Sequence, residues 1–411
     1  MAVSTRTAVP SFGSVTAALT LCLVASLAPL MSFPAVLPQV SSAWQLSASE
    51  AGWIGGIYFA GYALAVPFLS GWTDRIDGRW VLAGSSLLGA AAGLAFAQWA
   101  NGFWMALALR FVGGMAFAGV HMPGLTLLTQ YVDGPRQGRA VSIYTSSYAL
   151  GSSGSFLIAG IADAMLGWRA VFVVSAVGPL IALAAVACLA PPPTRARVAR
   201  LMPDFRSVFR DRAFMRYVLA FAGNTWEVFG IRVWFVACLA WTLSLPGNRL
   251  DLPNVAVIAA VASLAGLPAS VLVAELASRW NRSRVIIATC LVSVGVCIAL
   301  AATAGGKAPV VLALLILLQI TSFADVGALG VGAVGASTAS RRGASMAVYA
   351  LAGFTSGFLA PVVMGVMLDL FGGSESASGW TAAFLVMAIG SSVTALAMWS
   401  TRVPTAAKYR R

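Results

Sequence analysis

Gly71-Trp72-Thr73-Asp74-Arg75-Ile76-Asp77-Gly78-Arg79 separates two apolar runs, one from about residue 50 to 70 and the other from about 80 to 99. At 1.5 Å rise per residue, about twenty helical residues cross the roughly 30 Å hydrocarbon layer of a bilayer. The break therefore reads as a charged turn at a membrane surface between two spanning helices. The same alternation continues in both directions. Apolar runs fall at about 14 to 36, 50 to 70, 80 to 99, 103 to 130, 139 to 162 and 170 to 190, then at 214 to 241, 253 to 276, 284 to 304, 309 to 335, 343 to 369 and 381 to 400. The composition agrees, with 411 residues, 59% hydrophobic, 9% charged and a mean hydropathy of +0.87. An ordinary soluble domain is about 25% charged, so lipid is the solvent here. The expected fold class is an all-α integral membrane protein of twelve transmembrane helices.

The net charge of +13, from 26 Lys and Arg against 13 Asp and Glu, raises the question of a nucleic-acid partner. Position answers it. Twenty-one of the basic residues fall in breaks on one side of the bundle, only Arg169, Arg249 and Lys307 on the other, and Arg110 and Arg232 within spans. Such asymmetry marks the cytoplasmic face, so both termini are expected in the cytoplasm of a protein embedded in the inner membrane, with no nucleic-acid partner. The first run is longer than a signal-peptide core and reads as an uncleaved first helix, since cleavage would ruin the charge alternation.

The longest break starts with Pro191-Pro192-Pro193 and carries Phe205, Val208 and Phe209 at helical spacing against Arg206 and Arg210. It lies along the inner membrane surface or forms a solvated linker helix. Either way it divides the chain into a six-helix bundle (1–190), a basic cytoplasmic linker (191–213) and a second six-helix bundle (214–411). Gly167-Trp168-x-x-x-Phe172 before the sixth span recurs as Gly379-Trp380-x-x-x-Phe384 before the twelfth, and Tyr144 and Asp163 have counterparts in Tyr349 and Asp369. Internal duplication of this kind is a mark of secondary transporters.

The Gly71–Arg79 loop reads Gly-x-x-Asp-Arg-x-x-Gly-Arg and resembles the signature loop of the major facilitator superfamily, Gly-x-x-x-Asp-Arg-x-x-Gly-Arg, from which it departs by one residue between the first glycine and the aspartate. A degraded copy, Glu275 to Arg284, follows the eighth span with Ser278 in place of the aspartate. Span four holds Arg110-Phe111-Val112-Gly113-Gly114-Met115-Ala116, similar to the family's Arg-x-x-Gln-Gly-x-Gly pattern but departing at Gly113 and Ala116. The Gly/Pro run that drug exporters of the family carry in span five is replaced by Gly151-Ser152-Ser153-Gly154. The resemblance implies a latch at Gly71, Asp74, Arg75, Gly78 and Arg79 that ties the bundles together on the inner side, with topology-fixing charge as the plainer alternative. It also implies a central cavity lined by spans one, four, seven and ten.

Ionisable groups deep in a bilayer cost about 3 kcal/mol each on insertion scales and ask for a partner or a purpose. Arg110 and His121 in span four, Glu227 and Arg232 in span seven and Asp325 in span ten all fall on the helices that the resemblance assigns to the cavity. Arg110 and Arg232 offer planar donor forks to a carboxylate or other small anion. Asn224 neighbours Glu227 at i, i+3, and His121, Tyr58, Tyr62 and Trp226 complete the expected substrate contacts, with quiet packing the alternative for the histidine and the aromatics. Glu227 and Asp325 are the expected proton carriers. The five cysteines lie in apolar runs and read as packing residues, and with one histidine and no Cys-x-x-Cys pair no metal or cofactor is expected. No nucleophile–base pair or phosphate loop supports an enzyme. The expected function is alternating-access transport of a small organic or inorganic anion, coupled to protons, by a monomer. Proton-driven drug efflux and a non-transporting receptor are the alternatives.

Overall fold

The computed structural model describes residues 12–73, 75–192, 205–338 and 341–399, and among them every regular element is helical. The order is α1 Phe12–Ser26, α2 Ser32–Ala35, α3 Leu37–Trp44, α4 Ala48–Trp72, α5 Gly78–Trp99, α6 Phe103–Tyr131, α7 Pro135–Leu166 and α8 Trp168–Ala187. It continues with α9 Phe205–Arg210, α10 Arg212–Ser244, α11 Val255–Arg279, α12 Arg282–Ala302, α13 Ala308–Ala324, α14 Val326–Ala336, α15 Arg342–Leu370 and α16 Ala377–Trp399. Among the described residues eleven helical stretches are long and apolar enough to cross a membrane, α13 and α14 together making one of them, Ala308–Ala336.

The first expected span is not one helix. Residues 14 to 36 were expected to run unbroken, whereas the chain leaves helical geometry over residues 27–31 and resumes in the short α2 and α3. Proline explains it. Pro29, Pro34 and Pro38 lack the N–H that each turn of a helix requires, and the ring clashes with the carbonyl four residues back. The tenth span is also interrupted, at Asp325, which stands between α13 and α14 with φ −93° and ψ −3°.

The chain divides into two compact units. The first takes in the described residues up to Ala199 together with Val233–Ala240 and Asp251–Leu264, and the second the remainder. In the first unit α4 and α5 pack on α6, and α1 on α7 and α8. The α4–α6 approach is so close that a Cβ at Gly114 would collide with the Tyr58 carbonyl, and one at Gly61 with the Phe111 carbonyl. Small residues at such crossings are what apolar solvent leaves as a means of helix association, through packing and not through a hydrophobic driving force. In the second unit α12 packs on α13 and α16, and α10 meets α16 where Gly223 and Gly390 face each other.

Candidate functional site

In the first unit the break after α1 is closed by side chains from later in the chain. Arg110 of α6 is 4% exposed, and its two terminal nitrogens donate to the carbonyls of Pro29 and Leu30 at 2.8 and 3.0 Å. Ser155 of α7 donates to the Ala28 carbonyl at 2.6 Å and accepts from the Met31 N–H at 2.9 Å. In a bilayer interior a broken helix persists only when neighbours satisfy the freed backbone groups. Arg110, expected to bind substrate, is thus placed with both ends of its fork on the first span, its guanidinium 4.6 Å from the centre of the Tyr58 ring.

From Tyr58 an aromatic ladder runs along α4, α6 and α7. Phe117 lies 6.3 Å from Tyr58 and 5.5 Å from Tyr62, and it stacks on His121 at 5.5 Å and 15°. His121 also meets Tyr148 at 5.5 Å and Tyr144 at 6.4 Å. Its Nδ1 pairs with the Tyr62 hydroxyl at 2.7 Å, while the Tyr144 hydroxyl donates to its backbone carbonyl at 2.8 Å. With Tyr62 donating, the imidazole proton resides on Nε2, where it offers a donor. Tyr58, Tyr62, Arg110 and His121 are therefore brought together, as the eleven-residue spacing of the last two suggested. Phe117, the ring shared by Tyr58, Tyr62 and His121, escaped the sequence reading because a phenylalanine in an apolar helix carries no signal of its own.

At the surface loop, Asp77 caps α5 by accepting from the Arg79 N–H at 2.9 Å, and the Arg79 side chain returns to it at 2.8 Å. Arg79 donates further to the Leu189 carbonyl at 2.6 Å, tying the loop to the end of α8. Partial burial would raise the Asp77 carboxyl, but the Arg79 side-chain and backbone hydrogen bonds outweigh it and hold the group below the usual carboxylate range. Of the other expected latch residues, Gly71 ends α4 beside open space, Gly78 begins α5 and Arg75 lies in the turn between them. Asp74 lies outside the described residues.

In the second unit two buried polar clusters draw on α10, α12, α13, α16 and the α13–α14 interruption. Glu227, 1% exposed, accepts from Ser293 at 2.6 Å, from Cys297 at 3.4 Å and, through a short contact, from Ser391. Ser293 lies 2.9 Å from the Thr321 hydroxyl. Asp325, 3% exposed at the α13–α14 interruption, accepts from Asn224 at 2.6 Å, and the Cys290 thiol approaches it at 3.6 Å. Asn224 also donates to the Ser322 carbonyl at 2.8 Å. The two carboxylates thus sit in two buried clusters built from the same helices, and Cys290 and Cys297, read as packing residues, are their neighbours. Trp226 donates instead to the Val386 carbonyl at 3.2 Å, and Arg232, 2% exposed, lies 5.4 Å over the Phe323 ring. No group of three or more metal-ligating side chains occurs among the described residues.

A family model described as Major Facilitator Superfamily matches residues 19–340. The niacin transporter NiaP of Acinetobacter baylyi is 31% identical over 131 residues, 32% of this chain and 30% of that protein. A probable 4-methylmuconolactone transporter of Cupriavidus pinatubonensis is 27% identical over 236 residues, 54% of this chain and 52% of that one. The chain therefore spans from under a third to about half the length of these curated relatives. Among solved structures, a bacterial homolog of the human lysosomal transporter Spinster, inward-facing and occupied, superposes with a TM-score of 0.80 at 17% identity, over 94% of this chain and 96% of that one. The nucleoside transporter NupG gives 0.74 at 14% identity, over 94% and 98%. At such identities the likeness is one of fold. All four are named as transporters.

Proposed function

Because the chain belongs to the Major Facilitator Superfamily, we propose that it is a secondary active transporter that carries a small ring-bearing organic anion across the inner membrane. The observation that carries this reading is the ladder around His121: flat rings flanking an imidazole whose Nδ1 pairs with the Tyr62 hydroxyl, so that with Tyr62 as the donor Nε2 carries the proton. Stacked rings and one directed donor suit a flat substrate with a single carboxylate. Niacin, a pyridinecarboxylate, and methylmuconolactone, a lactone bearing a carboxylate, share that description, and both are named substrates of relatives.

On this reading residues 1–190 and 214–411 form the two halves of an alternating-access monomer, joined by 191–213, with both termini cytoplasmic. Protons are the coupling ion, carried by Glu227 and Asp325. Glu227 has three neutral donors around it and no cationic hydrogen-bond partner among the described residues. Arg110 acts by holding the broken first span in place beside Tyr58. The test is uptake of labelled small acids into proteoliposomes under an imposed inward proton gradient. Uptake competed by cyclic carboxylates supports the proposal. Competition by lipophilic cations alone points to drug efflux, and binding without flux to a receptor.

A further inference from the structure

Outside the transport machinery, the second unit carries an open recess of about 350 Å³ lined by Arg206, Ser207, Arg210, Asp211 and Arg341. Its parts are fixed in different ways. Val208, 1% exposed, plugs α9 into a core with Phe214, Val218, Ala333, Val348 and Tyr349. Arg341 donates to the Ser207 carbonyl and to the Thr338 hydroxyl, both at 3.1 Å, and stands 4.0 Å from Asp211. Asp211 is already engaged as the cap of α10, accepting from the Phe214 N–H at 3.1 Å. One carboxylate, half committed, thus faces three guanidinium groups.

Arg206 and Arg210 stand one turn apart on α9, both exposed, and neither has a hydrogen-bond partner among the described residues. Like charges at i, i+4 repel, and α9 is too short to tolerate that on propensity alone. The N-terminus of α15, capped by no side chain and beginning at Arg342, adds its positive end beside Arg341. Phe209 lies between the two arginines in sequence and is 58% exposed, one turn before the apolar body of α10 begins. An exposed ring just before a helix long enough to span suits the acyl boundary of a bilayer, whereas a freely dissolved anion would find no use for it.

We infer that this recess binds the phosphate of an anionic phospholipid headgroup, held by Arg206, Arg210 and Arg341, with the upper acyl chain against Phe209. The site anchors α9 to the leaflet at the end of the bundle where the basic loops gather.

The inference is tested by titrating the detergent-purified full chain with short-chain phosphatidylglycerol, short-chain phosphatidylcholine and inorganic phosphate, and following bound lipid by native mass spectrometry. Phosphatidylglycerol is expected to bind in preference to phosphatidylcholine, and millimolar phosphate to leave it bound. The double variant Arg206→Gln, Arg210→Gln is expected to bind phosphatidylglycerol about thirtyfold more weakly. The double variant Arg206→Lys, Arg210→Lys, which keeps the charge on the same exposed positions, is expected to retain most of the affinity. Equal binding of both lipids, displacement by phosphate, or an undiminished Gln variant overturns the inference.

Discussion

Asp77 shows how much of a surface loop rests on one carboxylate. Its cap on the Arg79 N–H and its pairing with the Arg79 side chain are separable. Asp77→Asn keeps the cap and loses the charge, and is expected to lower stability by about 0.5 kcal/mol, while Asp77→Ala loses both and costs about 1–2 kcal/mol. Thermal unfolding in detergent measures each. Because the folded carboxyl lies below its unfolded value, the stabilisation is whole above about pH 4 and fades as pH falls through the lowered value, so the gap between wild type and Asp77→Asn closes in acid. Arg110 makes the larger claim. Arg110→Met removes two charge-assisted hydrogen bonds to buried carbonyls and is expected to destabilise by about 2–4 kcal/mol, with Arg110→Lys restoring part of the loss. Deep charges stood out in the sequence because lipid makes them costly. Their partners did not, since Ser155, Ser293 and Ser391 are ordinary small residues until the fold sets them beside a carbonyl or a carboxylate.

At the scale of elements, hydropathy read the spans well because a bilayer imposes both a length and an apolar surface on each. Expected spans such as 103 to 130 and 309 to 335 correspond to α6, Phe103–Tyr131, and to Ala308–Ala336. Interruptions were missed for the same reason. Pro29 and Asp325 sit within runs whose average hydropathy stays high, and averaging hides a single residue that stops a helix. Helix crossings were hidden too, since glycine is common in such spans and only the fold shows which ones meet a backbone. Gly114→Ala would drive a methyl group into the Tyr58 carbonyl and is expected to cost about 1–3 kcal/mol, whereas Gly84→Ala, which faces open space, is expected to be near neutral. The contrast is read by comparing thermal midpoints of the two variants.

Over the whole molecule, the two halves that share the Gly-Trp-x-x-x-Phe recurrence have diverged in chemistry. Tyr144 bonds the His121 backbone in the first unit, whereas its counterpart Tyr349 stacks on Phe221 at 4.0 Å in the second. The first unit holds the imidazole and the rings around it, and the second the buried carboxylates Glu227 and Asp325. On the proposed function, His121→Gln should raise the KM for substrate while a proton gradient still drives uptake. Glu227→Gln should abolish gradient-driven uptake while exchange between preloaded and external substrate survives. Parallel flux and counterflow assays separate the two, and loss of both activities in both variants would argue against the division. The charge asymmetry makes its own prediction: reporter fusions near Arg249 should respond as external and those near Arg341 as cytoplasmic.

The break at Pro29 has a consequence for synthesis. The carbonyls of Pro29 and Leu30 are dressed by a guanidinium that follows them by about eighty positions in the chain. While the ribosome is still making the second and third spans, the leading segment has no means of shielding those oxygens from lipid. Its final shape is therefore postponed until Arg110 has been translated and inserted. A nascent chain halted short of that point should present residues around 29 to water-soluble probes, and one halted beyond α6 should protect them.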